Sequence, residues 1–415
     1  MFKNLNVFFK LQPEIINVIV AEFFIQLINT SLFAIQLIYM QKAGFSDYEG
    51  ALAVSYRFLG VLLFAFPLGL IIRGRKVLGL FKFACYTSPI LSFAIIYAIQ
   101  YNITWLLLSS QFLWGISFTC IQIPVMPYIL RNCKAESQTA AISLSYSTFS
   151  FAGIFGGIIM AVLNNMNPIV FNERVLLQIL TVLAFISIYF IHKVRVVEHV
   201  PLITTKRRDL GDFDWGIISK ALIPTLIIAV GAGLTIPFIS IFFYNIHGID
   251  TDGFSILNSV GALLVAISAL LVPYIKNNIG YKVAVPTTQS FAVIALVLLA
   301  TTQFYSDLKI AVYIAAGCFL LRQPLMNMAG PMTTEIVMKY VGKRNQEIVS
   351  ALTAAIWSGS WFISSRIFAA LREKGIDYVY VFLVTALLYG IGVVWYYFLI
   401  ADYVRREKLG LIESD

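Results

Sequence analysis

Apolar runs long enough to cross a bilayer recur along this chain from one end to the other, and no other feature limits its fold as strongly. A spanning helix needs about 20 predominantly apolar residues. Twelve such runs cover residues 14–38, 49–72, 80–99, 104–130, 138–162, 174–193, 216–244, 253–275, 283–303, 309–337, 346–371 and 378–401, separated by mostly short polar connections. An all-α integral membrane protein is predicted. The 415 residues are 59% hydrophobic and only 12% charged, about half the charged share of a soluble domain.

The first run follows Lys3 and Lys10 and is about 25 residues long, whereas the apolar part of a cleavable signal is roughly 7–15. It is therefore expected to stay as a span. The formal charge of +9 could suit nucleic acid or anionic lipid. Its placement favours topology instead. With the N-terminus in the cytoplasm, outer loops hold Lys42, Arg174, Lys309, Arg372 and Lys374, and span interiors hold Arg57, Arg322 and Arg366. The other 22 of the 30 Lys and Arg are then cytoplasmic, which the positive-inside rule requires. Both termini are expected in the cytoplasm, the chain in a bacterial inner (plasma) membrane, and no nucleic-acid partner beside the lipid bilayer.

Several chemistries lack their residues. Cys85, Cys120, Cys133 and Cys318 have no metal-ligand spacing, and His192, His199 and His247 fall in loops. Neither a hydrolase triad nor a buried zinc cluster can be assembled from them. No phosphate-binding Gly-rich loop of the Walker type is present. No enzyme activity, metal or cofactor is expected, and ATP is not the expected energy source.

The longest polar connection, "VRVVEHVPLITTKRRDLGDFDW" at 194–215, divides the spans six and six. We therefore expect an N-terminal bundle at 1–193, a cytoplasmic linker at 194–215 and a C-terminal bundle at 216–415. A shift of 204 residues sets Gly44 over Gly248 and Pro127 over Pro331 at matching places in the two halves, a weak sign of an internal repeat.

Two loops carry related strings. "PLGLIIRGRK" at 67–76 supplies Gly69, Arg73, Gly74, Arg75 and Lys76, and "YIKNNIGYK" at 274–282 supplies Asn277, Gly280 and Lys282. With the twelve spans in two sixes, these strings resemble the major facilitator superfamily of secondary transporters. The resemblance covers the whole chain and implies two pseudo-symmetric six-helix bundles, with these loops gating the cytoplasmic side. Isoleucine and Asn277 stand where the family pattern has an acid, so both loops lack the carboxylate of the family's latch. A plain short basic turn explains the same residues. "SFAGIFGGII" at 150–159 is similar to the tail of the family's exporter motif, with Ala152 and Gly153 in place of its Gly-Pro. Close helix packing through small residues explains that stretch equally well.

Intramembrane charges are costly and so face a partner or a cavity. Glu22, Arg57, Arg322 and Arg366 are the candidates, and Arg366 is near enough to a span end to snorkel. Gln26, Asn29 and Gln36 follow Glu22 at helical spacing in one stripe. The resemblance places spans one, four, seven and ten around a central cavity, so the stripe would look into it; hydrogen bonding between helices is the alternative. Arg322, with Gln323 and Asn327 nearby on span ten, would grip an anionic group or pair with Glu22; a permanent structural ion pair is the alternative. Arg57 would reach the same cavity or pair with Glu22. Trp114, Tyr146, Trp357, Trp361 and Tyr389 are available for stacking.

These readings converge on a monomeric secondary active transporter of a small organic solute, anionic or zwitterionic, working by alternating access and coupled to protons, with export as one direction. The alternatives are a flippase-like transporter of an amphipathic or lipid-linked substrate and a transport-inactive membrane sensor or scaffold.

Overall fold

The structure is a computed structural model that describes residues 11–72, 75–195 and 213–409. In a bilayer the backbone must satisfy its own hydrogen bonds, and helices do this within each segment. Among the described residues, twelve helices are long and apolar enough to cross a membrane. In the first half they are α1 (Pro13–Lys42), α2 (Asp47–Ile71), α3 (Leu78–Gln100), α4 (Thr104–Asn132), α5 (Ala135–Met166) and α6 (Glu173–His192). In the second half they are α7 (Trp215–His247), α8 (Thr251–Ile279), α9 (Tyr281–Tyr305), α10 (Lys309–Gly342), α11 (Ile348–Glu373) and α12 (Tyr378–Lys408).

All twelve predicted spans are present. The largest boundary difference is at α12, expected to end at 401 but continuing to Lys408. Its last turn carries Arg405, Arg406 and Lys408, cations that favour the negative end of a helix and let it continue beyond the apolar run.

Local sequence sets the helix ends. Ser46 and Glu49 form a reciprocal cap on α2: Glu49 N donates to Ser46 Oγ at 3.3 Å and Ser46 N to Glu49 Oε2 at 2.9 Å. Asn172 caps α6 and Asp214 caps α7, contacts typically worth about 1 kcal/mol each. Pro237, which lacks an N–H, lies in a 3-10 turn at Ile236–Phe238 that interrupts α7. Gly342 separates α10 from α11 with φ 72° and ψ 161°, a conformation open to glycine and costly for other residues. The positions paired by the 204-residue shift share local conformation. Gly44 and Gly248 both have positive φ, at 92° and 64°, and Pro127 and Pro331 both lie inside helices.

The chain divides into two compact units, Met1–Thr205 with Ile249–Ser259, and Lys206–Gly248 with Val260–Asp415. In the first, α2 and α3 pack on α4, and α1 packs on α5. In the second, α7 packs on α12 and on the α10–α11 stretch, and α9 on α12. Lipid supplies no hydrophobic drive for this packing, so small residues at the contacts matter. A Cβ added to Gly60 would lie 2.2 Å from Phe112 O, and one on Gly115 would lie 2.2 Å from Arg57 O. The α2–α4 approach thus depends on two reciprocal glycines.

Candidate substrate and proton sites

In the first unit Glu22 is buried on α1, and its Oε2 accepts a hydrogen bond from Ser145 Oγ of α5 at 2.7 Å. One turn later Asn29 Nδ2 donates to Gln26 Oε1 at 2.9 Å. The Thr30 and Ser31 hydroxyls donate back to carbonyls of their own helix. The polar stripe therefore combines a carboxylate that meets α5 with an amide pair closed on itself.

Gln36, farther along that stripe, meets a different partner. Arg57 Nη2 donates to Gln36 Oε1 at 2.9 Å, and Arg57 Nε donates to Gln111 Oε1 of α4 at 2.8 Å. The guanidinium carbon stands 4.5 Å above the Trp114 ring, and Trp114 Nε1 donates to Ser92 Oγ at 2.9 Å. Arg57 thus does not pair with Glu22; two amide oxygens and an indole face hold it.

In the second unit Arg322 is 3% exposed. Its Nη2 donates to Tyr389 Oη at 3.2 Å, and its guanidinium carbon lies 5.7 Å from that ring's centroid. Among the described residues its Nε is buried without a hydrogen-bond partner. Tyr389 fits because α7 has Gly231 opposite it, where a Cβ would come within 3.0 Å of Tyr389 Cε1. Gln323 lies against Gly261 of α8 in the same way, its Oε1 2.7 Å from where a Cβ would be. Asn327 is exposed and its Nδ2 donates to Gln323 O at 2.9 Å. Arg366 is exposed on α11.

The predicted gating residues divide. Gly69 belongs to the last turns of α2 rather than to a loop, and Arg73 and Gly74 lie outside the described residues. Arg75 and Lys76 are exposed. Arg131 of α4 clamps this turn, donating from Nη1 to Arg75 O at 3.0 Å and from Nη2 to Ile72 O at 3.1 Å. Gly280 joins α8 to α9 with φ 74°. Asn277 lies near the end of α8, Lys282 is exposed at the start of α9, and the Asn277 side chain is outside what is described. Among the described residues no cluster of His, Cys, Asp and Glu could hold a metal ion.

The sequence profile of the Major Facilitator Superfamily matches residues 18–365. The chain belongs to this superfamily. Solved structures agree in fold. A D-xylose-proton symporter superposes with a TM-score of 0.72 at 12% identity, covering 92% of this chain and 95% of that one. A bacterial homologue of the iron transporter ferroportin, in an inward-facing state, gives 0.71 at 14%, covering 92% and 98%. The nucleoside transporter NupG gives 0.68 at 12%, covering 94% and 99%. No curated protein sequence matches the chain. The family and these neighbours make it a secondary transporter integral to a membrane.

Within this superfamily member, sequence reading overlooked Gln111 and Ser145 because it searched the spans for charges. A buried amide or hydroxyl in a span also needs a partner, and Gln111, which follows Ser109 and Ser110 in "SSQFLW" inside α4, was a signal of that kind.

Proposed function

We propose that the protein is a proton-coupled secondary transporter of a small organic solute carrying a negative charge, anionic or zwitterionic, and that it works by alternating access. Arg322 carries this reading. Among the described residues the buried Arg322 meets a phenol and no carboxylate, and a planar guanidinium suits a carboxylate or phosphate oxygen pair. Glu22 is the proton-carrying group in this scheme: a buried carboxylate that accepts a neutral serine hydrogen bond, rather than one from a cation, among the described residues can exist as acid or as base. Protein from the full chain works as a monomer in the plasma membrane with both termini in the cytoplasm, its two bundles joined by the 194–215 segment.

A second reading, transport of an amphipathic or lipid-linked substrate, rests on an apolar groove of about 760 Å³ between α9 and α12, lined by residues such as Val293, Val297, Leu387, Val394 and Phe398. An acyl chain suits such a groove. A thermal-unfolding screen of the purified protein against metabolite and lipid libraries separates the two, since a ligand at 100 times its Kd stabilises by about 2.7 kcal/mol. Stabilisation by small anionic or zwitterionic solutes supports the first reading. Stabilisation by lipid-linked compounds alone supports the second.

A further inference from the structure

We propose that the Arg57 cluster of the first unit is an anion site that takes a single negative charge, supplied by a free halide ion or by a carboxylate. Its residues, Gln36 of α1, Arg57 of α2, and Gln111 and Trp114 of α4, are all buried. The site lies within one unit and does not rest on the role assigned to Arg322.

Donors outnumber acceptors here. A guanidinium offers five N–H groups and no acceptor, and the two amide oxygens nearby are already engaged, Gln111 Oε1 by Nε and Gln36 Oε1 by Nη2. The amide nitrogens that remain lack good acceptors. Gln111 is 0% exposed, and its Nε2 has no hydrogen-bond partner among the described residues. Gln36 Nε2 has the Met40 sulfur at 3.8 Å, a weak acceptor. Trp114 adds none, because its N–H donates to Ser92. Among the described residues no carboxylate pairs with Arg57. An unpaired buried charge is expensive, and two amide dipoles offset only part of that cost. An anion supplies both the missing charge and the missing acceptor.

The cluster is also held in place. Gly115 lets α4 approach so closely that a Cβ there would lie 2.2 Å from the Arg57 carbonyl oxygen, which fixes the backbone under the guanidinium. Trp114 covers one guanidinium face at 4.5 Å, leaving its edge as the approach for an anion in the plane of its N–H groups.

The test uses the full chain purified in isethionate, a bulky sulfonate. Its unfolding midpoint is followed while chloride, and separately acetate, replaces isethionate at constant ionic strength. The site predicts a saturable rise of a few degrees with at least one of them: chloride alone identifies a halide site, acetate alone a carboxylate site. Gln111→Glu places a tethered carboxylate beside Arg57, so it raises the midpoint in isethionate and abolishes the anion response. Arg57→Met removes the guanidinium and with it the anion response, which keeps the test open if Gln111→Glu does not fold. A flat titration of the unmodified protein, or an unchanged response in the variants, overturns the proposal.

Discussion

A Cβ on Gly157 of α5 would stand 1.8 Å from Ser259 Oγ and 2.8 Å from the Ser255 carbonyl oxygen, both at the start of α8. One residue earlier, a Cβ on Gly156 would stand 2.8 Å from Ser31 Oγ of α1. The small residues of "SFAGIFGGII" therefore seat two helices against α5 within the first unit.

Gly157→Ala tests this packing. Rotation of Ser259 can move the hydroxyl, but the Ser255 carbonyl belongs to the backbone, so the helices must shift. A loss of about 1–3 kcal/mol is expected from overpacking of this kind. Gly317→Ala in α10 is the control, because a Cβ there meets nothing within 4 Å; alanine should be neutral or stabilising by up to about 1 kcal/mol through helix propensity. Unfolding midpoints of the two variants should move in opposite directions, or Gly157→Ala alone should fall.

Lys42 Nζ reaches Glu173 Oε1 at 2.7 Å and Asp250 Oδ1 at 2.5 Å, and Thr251 Oγ1 donates to the same Glu173 oxygen at 2.6 Å. Glu173 is buried while the Asp250 side chain is 51% exposed. Glu173→Gln should therefore cost about 1–3 kcal/mol, as for a buried charged hydrogen bond, and Asp250→Asn under about 1 kcal/mol. Partial burial tends to raise the Asp250 carboxyl, but hydrogen bonds from Lys42 and Thr251 outweigh it and hold the group below its usual range. A depressed folded pKa stabilises above the unfolded value of about 3.9, and that contribution is lost as pH falls through the folded pKa. Unfolding midpoints measured from pH 6 down to about pH 3 should show a small acid-side loss that Asp250→Asn lacks.

The proposed orientation, with both termini in the cytoplasm, rests on the distribution of Lys and Arg. In a cysteine-free background, Asp307→Cys should react with an impermeant maleimide on intact cells, and Arg207→Cys only after permeabilisation. Labelling in the opposite sense would reverse the assignment of both termini.

The twelve spans were legible because lipid makes apolar length nearly synonymous with a spanning helix. Side-chain partners were not. The sequence places Arg57 inside the membrane, but its bonds to Gln36 and Gln111 depend on how three helices rotate about their axes, and that depends on the Gly60 and Gly115 contacts. The Ser145 hydroxyl was hidden for a related reason. Hydroxyl residues recur along α5 in "SQTAAISLSYSTFS", and only packing selects the one that meets Glu22.

Arg322→Lys keeps the charge but loses the planar fork that meets Tyr389 and a bound anion. Solute affinity should fall at least tenfold, about 1.4 kcal/mol, while expression and the unfolding midpoint without solute change little. Binding measured by thermal shift or calorimetry checks this, and unchanged affinity would make Arg322 a structural charge.

The most direct test reconstitutes the full chain into liposomes with a pH-sensitive dye inside, using the solute that stabilises the protein best. Adding that solute should move protons across the membrane in the unmodified protein. Glu22→Gln fixes the carboxyl in a form like its protonated state, so this variant should still exchange labelled solute for unlabelled. It should move no protons and build no solute gradient under an imposed pH difference. A Glu22→Gln protein that accumulates or expels solute against its gradient when the pH difference is imposed would contradict the account.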